Sequence, residues 1–372
     1  MLRKKILVVS NAFYPEISPR SFRTTELVKE MCRQGHAVTL YTERKEQYHA
    51  PIEKEFGVVI KDLGQRKFAL LDLTRGSKPI VLFKRVFNRA LLQLVEFPDI
   101  EWMFKVKKAL KNEAGYDMLI SIAAPHPVHW GVAWARTATQ PIATTWVADC
   151  GDPYMGTIMD SFRKLFYFKY FEKSFCRKAD HITVPIIVMK ENYYPEFRSK
   201  IVEIPQGFKF DEVPASDKKV SNLVPTFAFA GTFIRTLRNP TPLLQYLSTV
   251  DAPFKFIIYT KTTEQVIPFK EALKDKLEIR DYVPRLELLK ILGSMDFLVN
   301  IAYDPVHQSP SKLIDYYLTG KPILSSTTNE FDKKTVDEFL QGNYNGRFQF
   351  NNIDQYRIEN VCKSFINLAP RQ

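Results

Sequence analysis

Cysteine is scarce in this sequence of 372 residues, and long apolar runs are missing. The four cysteines, Cys32, Cys150, Cys176 and Cys362, lie far apart, and none belongs to a C-x-x-C pair. That spacing argues against a disulfide scaffold or a structural zinc site and favours a reducing compartment. No stretch of about twenty apolar residues occurs, so we expect no membrane span. The apolar run after the basic start, Ile6 to Val9, is too short for a signal-peptide core and suits a buried strand.

Three nucleotide- and metal-binding motifs are also missing. The sequence has no G-x-x-x-x-G-K-[ST] loop and no G-x-G-x-x-G fingerprint, which disfavours P-loop kinases and dinucleotide-dependent dehydrogenases. It has no D-x-D pair, which disfavours the metal-dependent transferases that use one. Carboxylates occur near one another, but no nucleophile loop supports a hydrolase of the two-acid type.

Positive charge is in excess: the formal net charge is +12 in a chain that is 45% apolar and 25% charged. That excess favours anionic partners, namely nucleic acid, acidic lipid headgroups or phosphorylated substrates. A solvated basic surface without a partner is the alternative. Nucleic acid is disfavoured, because no RRM, KH or zinc-finger pattern is present.

Apolar runs of strand length alternate with helical patterns in the first half of the chain. The pattern predicts a helix from about Pro19 to Arg33, ended by Gly35. The predicted strands are Lys5 to Val9, Ala37 to Tyr41, Met118 to Ile122, Ile142 to Ala148, His181 to Val184 and Ile201 to Ile204. This rhythm is typical of a parallel sheet with crossover helices.

The rhythm restarts after a polar, weakly patterned stretch from Asp211 to Val224. The second set of predicted strands is Thr226 to Ala230, Phe254 to Tyr259, Leu277 to Ile279, Phe297 to Ile301 and Ile323 to Leu324. We therefore predict an α/β protein of two Rossmann-like domains, residues 1–209 and 210–352, with a helix in 353–372 that returns to the first domain. Because such sheets bind ligands beyond the carboxyl ends of their strands, the cleft between two facing domains is the expected site.

A lysine stands at an unfavourable place in the stretch SPSKLIDYYLTGKP. Ser309 and Pro310 predict a helix start and Gly320 its end, which puts Lys312 in the first turn. A cation there opposes the helix dipole, at a cost of about 0.3–1 kcal/mol. A phosphate held by Lys312 and the backbone N–H groups near Ser311 removes the conflict, and Asp315, one turn on, can accept hydrogen bonds from a ribose. A surface Lys–Asp pair is the alternative.

Further donor-site candidates follow the first strand of the second domain. Gly231 lets the backbone approach a ligand, or serves only a turn. Arg238 and Arg235 are rival candidates for the diphosphate, because a guanidinium matches phosphate oxygens; otherwise they are solvated loop cations.

Candidates in the first domain follow strands or open the first helix. His126 comes after the predicted strand Met118 to Ile122, and Asp149 and Asp152 come after Ile142 to Ala148. These three are the catalytic candidates, since a histidine or a carboxylate at that edge can orient or deprotonate an acceptor hydroxyl.

The loop and helix after the first strand supply Tyr14, Arg20 and Arg23 as candidates for binding phosphate or acceptor. For the catalytic candidates the alternatives are a structural histidine and carboxylates that cap a turn. For the arginines the alternative is exposure on the surface.

Two segments interleave basic and aromatic residues: residues 83–89 and 161–171. They predict amphipathic helices that lie on an acidic membrane surface. Alternatively, their aromatic side chains belong to the core and only the charges are exposed.

An ordered set of short motifs resembles the family 4 type of GT-B glycosyltransferase. The motifs span nearly the whole chain and include N-A-F-Y-P-E, G-H-A-V-T, W-V-A-D-C-G-D-P, A-D-H-I-T-V, I-P-Q-G-F, F-A-G-T, R-N-P and P-S-K-L-I-D-Y-Y-L-T-G-K-P. The resemblance implies a retaining, metal-independent transferase without a cofactor, which moves a sugar from a nucleoside diphosphate sugar to a glycan or lipid-linked acceptor in bacterial surface polysaccharide synthesis. The loop after the first strand lacks the glycine pair that this family often has there.

The family usually has two acids eight positions apart, and the resemblance places these at His307 and Asp315. It implies that His307 lies at the donor sugar and Asp315 at the ribose. His307 departs from the usual glutamate and leaves the donor sugar open. The resemblance implies a cytoplasmic enzyme, peripheral on the inner face of the membrane if the basic aromatic segments bind lipid. A nucleotide-sugar 2-epimerase of the same fold and a sugar- or nucleic-acid-binding module are the alternative functions.

Overall fold

The chain forms two compact units, each with its own parallel sheet. The structure, a computed structural model, describes residues 3–156, 163–212, 222–235, 238–302, 311–327 and 332–370. Unit 1 comprises Met1–Phe208 and Gln355–Gln372, and unit 2 comprises Lys209–Asp354. The first boundary therefore falls one residue from the expected 209/210 junction, and the second falls two residues after the expected one.

The sheet of unit 1 has seven parallel strands in the order β3-β2-β1-β4-β5-β6-β7. The strands are β1 (Lys5–Val9), β2 (Ala37–Thr42), β3 (Val59–Asp62), β4 (Tyr116–Ile122), β5 (Ala143–Asp149), β6 (His181–Val184) and β7 (Ile201–Glu203). Residues Ile6 to Val9 are wholly buried, since helices cover both faces of the sheet. The strand that the apolar pattern missed is β3, which is short and half polar.

Six helices of unit 1 lie between these strands. They are α1 (Pro19–Arg33), α2 (Glu46–Phe56), α3 (Lys78–Val95), α4 (Glu101–Ala109), α5 (Pro127–Ala135) and α6 (Phe168–Lys178). Ser18 caps α1 by accepting a hydrogen bond from the Ser21 N–H at 3.1 Å, and Pro19 occupies the first helical position. Gly35, with φ +86°, takes the left-handed conformation just beyond the helix end. The helix therefore has the bounds that its capping residues predict.

The sheet of unit 2 has five parallel strands in the order β10-β9-β8-β11-β12. They are β8 (Thr226–Ala230), β9 (Lys255–Tyr259), β10 (Leu277–Arg280), β11 (Phe297–Ile301) and β12 (Ile323–Ser326). The helices are α7 (Thr241–Leu247), α8 (Lys270–Leu273), α9 (Arg285–Leu292), α10 (Ser311–Leu318) and α11 (Lys333–Leu340). The strand order reverses between β8 and β11, the position where such sheets bind ligands.

Stacked phenylalanines fix the first strand of unit 2. The Phe227 ring lies 4.4 Å from that of Phe297 and 4.7 Å from that of Phe256, measured between centroids. The contacts join the three adjacent strands β9, β8 and β11 on one face of the sheet. They hold β8 against its two neighbouring strands.

The last helix, α12 (Ile358–Ile366), belongs to unit 1. It packs on α1 and buries its apolar face, including Val361, Phe365 and Ile366. Backbone hydrogen bonds join Phe208 to Tyr356 and Ile358 at 2.8 and 2.9 Å. The chain thus leaves unit 1 and returns to it at neighbouring points.

Candidate functional site

A cavity of about 460 Å³ opens at the carboxyl edge of the unit 2 sheet. Its wall comes from residues that follow β8, β9 and β10 and from the first turns of α9 and α10. The lining residues include Ala230, Gly231, Thr232, Arg238, Tyr259, Thr260, Lys261, Tyr282, Val283, Arg285, Leu288, Ser311, Lys312, Asp315 and Tyr316. The cavity is large enough for a small organic ligand and combines apolar walls with a few charged groups.

Gly231 directly follows β8 and forms part of the cavity wall. Its φ is +143°, a conformation that residues with a Cβ rarely adopt. Its N–H donates to the Tyr259 carbonyl oxygen at 2.9 Å, which fixes the backbone. An added Cβ would lie 3.7 Å from Lys312 Cδ, an ordinary contact, so backbone conformation rather than space requires glycine.

Lys312 carries its ammonium group into the protein. Nζ lies 3.8 Å from the centroid of the Phe229 ring and 5.3 Å from that of Tyr316. It is buried and makes no hydrogen bond to any residue that the structure describes. Burial, followed by the charge of Arg238, holds the pKa of Lys312 well below its usual value. A cation in such a place is costly unless an anion joins it.

Arg238 lies beside Lys312 on the wall of the same cavity. Two backbone hydrogen bonds, at 3.1 and 2.7 Å, join Ile234 and Arg238. Two neighbouring cations repel each other in a medium of low dielectric constant. A group with two negative charges would offset that repulsion, and a guanidinium and an ammonium are the usual ligands of phosphate.

Asp315 lies one turn beyond Lys312 and is paired with Arg285. Its Oδ1 accepts hydrogen bonds from Arg285 Nη2 at 2.7 Å and Nε at 3.0 Å. Burial raises the pKa of Asp315, and the Arg285 charge opposes that rise. Arg285 therefore favours the ionised carboxylate.

The sequence patterns did not single out Arg285, although a signal for it exists. Arg285 directly follows Pro284 and opens α9 after β10, and Lys312 lies in the first turn of α10, two residues after Pro310. Helix starts after parallel strands lie at the ligand edge of the sheet, so the rule that selected Lys312 applies to Arg285 as well.

The cavity has an apolar end around β10. Tyr282, Val283 and Leu288 lie there, and Lys261 Nζ is 5.0 Å from the centroid of the Tyr282 ring. An aromatic ring beside aliphatic side chains and accessible backbone suits a flat heterocycle.

Five of the seven predicted donor residues line this one cavity: Gly231, Arg238, Ser311, Lys312 and Asp315. Arg235 is exposed and lies outside the lining. His307 lies outside the described residues, as do Ser309 and Pro310, the predicted helix start.

Arg23 and Asp149 form a buried ion pair in unit 1. Arg23 Nε and Nη2 donate to the Asp149 carboxylate at 2.6 and 2.7 Å, and Thr183 Oγ1 donates to it at 2.6 Å. Arg23 also donates to the carbonyl oxygens of Ile204 and Pro205 at 3.0 and 2.8 Å. Arg23 is 4% exposed and Asp149 is not exposed. Contrary to the sequence expectation, neither side chain faces solvent at the sheet edge. The pair joins α1 to the strands, and each charge needs the other because an isolated buried charge is too costly.

Arg20 lies flat on the backbone that follows β5. Its Nη2 is 1.4 Å from the position that a Cβ on Gly151 would take, so the glycine makes room for the guanidinium. Burial lowers the pKa of Arg20, while the carboxylates of Asp149 and Asp152 raise it. Burial also raises the pKa of Asp152, and Arg20 lowers it. Arg20 and Asp152 thus share the carboxyl edge of this sheet.

His126 lies beside them. Its Nε2 is 3.0 Å from the Asp152 carbonyl oxygen, and its ring centroid is 5.1 Å from that of Tyr154. Burial lowers the pKa of His126 to about 4. The imidazole is therefore neutral at pH 7, donates from Nε2 to the carbonyl, and carries its lone pair on Nδ1.

Tyr14 is the most exposed of the first-domain candidates, at 46%. Its backbone is fixed on both sides: its N–H donates to Thr25 Oγ1 at 3.1 Å, and its carbonyl oxygen is 2.6 Å from His49 Nε2. Its ring contacts that of Tyr48, with centroids 5.8 Å apart.

Metal binding and membrane crossing find no support in the described ranges. Those residues contain no group of three or more His, Cys, Asp or Glu placed to hold a metal ion. They also contain no helix with the length and apolar character needed to cross a bilayer. All four cysteines are free thiols.

Several solved structures share this fold, whereas no protein-family model and no curated protein matches the sequence. A glycosyltransferase from Rickettsia africae has 11% identity and a TM-score of 0.57, covering 99% of this chain and 94% of that one. A variant of TarM from S. aureus has 11% identity and a TM-score of 0.58, covering 99% and 100%. Anabaena HepE has 10% identity and a TM-score of 0.53, covering 99% and 96%.

The likeness extends over the full length of these chains, and at such identities it concerns the fold. In this chain that fold consists of two parallel sheets of seven and five strands with intervening helices. The prediction of the GT-B glycosyltransferase fold is therefore confirmed.

Proposed function

We propose that the protein transfers a sugar from a nucleoside diphosphate sugar to a hydroxyl of an acceptor. The observation that carries the proposal is the pair of cations, Lys312 and Arg238, in one cavity at the point where the strand order of unit 2 reverses. The ammonium of Lys312 is buried without a hydrogen-bond partner among the described residues, so the cavity favours a strongly anionic ligand. Two of the similar proteins, HepE and TarM, were solved in complex with UDP.

The diphosphate would lie between Lys312, Arg238 and the free backbone N–H groups at the start of α10. As the bond between the sugar C1 and the diphosphate oxygen breaks, both electrons go to that oxygen. The two cations and the helix dipole stabilise the charge that develops there. Fixed cations can thus fill the role that a metal ion has in other transferases.

The nucleoside would occupy the rest of the cavity. Asp315, oriented by Arg285, would accept hydrogen bonds from the ribose hydroxyls, and the base would lie by Tyr282 and Val283. Retention of configuration is the outcome that the sequence resemblance implies. A family 4 assignment and a donor-sugar contact from His307 rest on that resemblance alone.

Residues at the carboxyl edge of the unit 1 sheet would serve the acceptor. Burial raises the pKa of Asp152, which favours it as the base that takes the proton from the acceptor hydroxyl, and neutral His126 can orient that hydroxyl through the lone pair on Nδ1. Arg20 beside them would hold an anionic part of the acceptor. A glycan or a lipid-linked saccharide of bacterial surface polysaccharide synthesis is the proposed acceptor class, and the cytoplasm and the inner membrane face are the proposed location. The similar TarM structure holds fondaparinux and α-GlcNAc-glycerol beside UDP.

The proposal is tested by calorimetry with UDP, GDP and an oligonucleotide, followed by turnover of the nucleotide sugars that bind. We expect Lys312→Ala to lower turnover at least tenfold, about 1.4 kcal/mol. The matched control is Lys290→Met, since Lys290 is exposed on α9 and lies outside the cavity lining. Wild-type turnover in Lys312→Ala would contradict the proposal.

Two results would favour the alternative functions. Conversion of the donor with no acceptor present would indicate the 2-epimerase. Binding to the oligonucleotide in preference to nucleotides, with a steep loss of affinity in salt, would indicate a nucleic-acid-binding module.

A further inference from the structure

Helix α3 has its apolar face turned to solvent. Seven of its large apolar side chains are at least 41% exposed, and the only buried residue of the helix is a polar one, Asn88. The exposed residues are Ile80, Leu82, Phe83, Val86, Phe87, Leu94 and Val95. The loop before the helix adds Phe68, Leu70, Leu71 and Leu73. Eleven of the 27 exposed large hydrophobic residues in the described parts of the chain therefore fall within residues 68–95.

Polar contacts hold the helix in this orientation. Asn88 exchanges two hydrogen bonds with the backbone of Leu71, at 2.9 and 2.8 Å. Lys84 Nζ donates to the carbonyl oxygens of Asp72 and Arg75 at 2.9 and 2.7 Å. These bonds tie the polar side of the helix to the loop before it, and rotating the helix against that loop would break them. The exposure follows from the way this segment folds.

A second exposed aromatic segment adjoins the end of α3. Tyr167 donates to the Leu94 carbonyl oxygen, and Lys164 Nζ lies 2.9 Å from Glu96 Oε2. Phe166 and Tyr170 are 71% and 62% exposed. Phe168, in contrast, belongs to the core. The sequence left open whether the aromatic residues of this segment are exposed or buried, and both occur. Residues 68–95 and 163–170 thus form one surface, here called the α3 face.

The α3 face carries charge of one sign over most of its length. Residues 73–95 contain five basic and no acidic residues, and residues 163–171 contain three basic and no acidic residues. Two copies of such a surface would repel each other, so a second copy of this chain is a poor occupant. An anionic surface that also accepts apolar side chains matches both properties, and a bilayer of acidic phospholipid is such a surface.

We propose that unit 1 docks on acidic phospholipid membranes through the α3 face. Helix α3 would lie in the plane of the interface, with Phe83, Val86 and Phe87 below the headgroups. Its 18 residues span about 27 Å. The exposed cations Arg85 and Lys78 would contact lipid phosphates. The purpose of this contact, access to a lipid-linked acceptor, rests on the proposed function, but the contact itself requires neither donor nor acceptor.

The test is co-sedimentation of the full chain with vesicles. One set contains equal parts of phosphatidylglycerol and phosphatidylcholine, and the other contains phosphatidylcholine alone. We expect at least about tenfold stronger partitioning to the acidic vesicles, weakened by salt. A triple variant, Phe83→Ser with Val86→Ser and Phe87→Ser, should lose about tenfold or more on acidic vesicles. Lys78→Glu with Arg85→Glu should remove the preference for acidic lipid.

Ile267→Ser serves as the matched control, because Ile267 is an apolar residue of unit 2 with 56% exposure. It should bind vesicles like the wild type. Since all the changed side chains are exposed, melting temperatures should stay unchanged, which separates loss of binding from loss of folding. Equal partitioning of the wild type and the triple variant would overturn the proposal. So would a wild-type dimer that the triple variant dissociates, since the α3 face would then bind a second copy. Nucleotide binding, measured apart, reports on the proposed function alone.

Discussion

Replacing Lys312 by methionine should make the ligand-free protein more stable and less responsive to nucleotide. Removing an ammonium from water costs several kcal/mol after relaxation, whereas a desolvated cation over an aromatic ring recovers about 2 kcal/mol. The Phe229 contact therefore leaves a net cost of at least about 1 kcal/mol in the empty cavity. Methionine has a similar length and no charge, and it keeps the contact with the ring. For a unit of about 150 residues, each 1 kcal/mol raises the melting temperature by about 2–4 °C.

Nucleotide should stabilise the wild type more than the variant. At a ligand concentration of about one hundred times Kd, binding stabilises the wild type by about 2.7 kcal/mol, or about 5–10 °C. A charge-assisted hydrogen bond contributes about 1.5–3 kcal/mol, so its loss weakens Kd by about ten- to a hundredfold. At the same concentration the variant then gains at most about 1.4 kcal/mol. Without ligand the variant should melt higher, and nucleotide should move the difference in stability toward the wild type by at least about 1.3 kcal/mol.

The pH dependence gives a third readout. Because the pKa of Lys312 is lower in the folded protein than in the unfolded chain, the unfolded chain binds the proton more readily. The buried charge of Lys312 destabilises the protein fully when the pH is below the pKa of Lys312 in the folded state. This destabilisation fades as pH rises toward the ordinary pKa of 10.5. The wild type should therefore gain stability over that interval relative to the variant. Thermal unfolding of both proteins and of Lys290→Met, with and without UDP or GDP, measures all three. A variant that melts lower than wild type and keeps its nucleotide shift would refute the reasoning.

Three further changes test other parts of the structure. Arg285→Met should make nucleotide affinity fall as pH is lowered, since without the guanidinium the raised pKa of Asp315 rises further; titrations over a pH series measure this, and a flat profile would contradict it. Asp149→Asn removes one partner of a buried ion pair and should cost about 3–5 kcal/mol in the free energy of urea unfolding, far more than a surface site would show. Gly131→Ala should lower the melting temperature although alanine gains about 1 kcal/mol in helix propensity, because its Cβ would lie 2.7 Å from the Met103 carbonyl oxygen; a higher melting temperature would show that α4 and α5 can separate.

The sequence predicted the sheets well, because continuous apolar runs are nearly unambiguous where strands are covered on both faces. The exception is Val59–Asp62, whose VIKD sequence is short and half polar, so its pairing with the neighbouring strand depends on tertiary context. Cavity residues such as Lys312 and Gly231 were predictable for a geometric reason: strand ends and helix starts meet at one edge of a parallel sheet.

What could not be predicted depends on partners that are distant in sequence. Arg23 and Asp149 are 126 residues apart, and nothing local distinguishes a buried pair from two exposed groups at a sheet edge. The Arg285–Asp315 pair spans 30 residues and was missed for the same reason. For α3, periodicity shows that an apolar face exists, but its direction depends on the bonds of Asn88 and Lys84 to the preceding loop.

The return of α12 to unit 1 makes unit 2 an insertion between two backbone segments that are already bonded to each other. Phe208 and Ile358 lie at the two junctions, and Gly207 packs so closely that a Cβ there would be 2.5 Å from Ile358 Cδ1. Deleting the last eighteen residues would consequently damage the fold of the amino-terminal unit, although its own sequence would be intact up to residue 208. Residues 209–354, by contrast, form a cassette whose two ends leave from adjacent backbone, a natural segment for separate expression or for exchange between related chains.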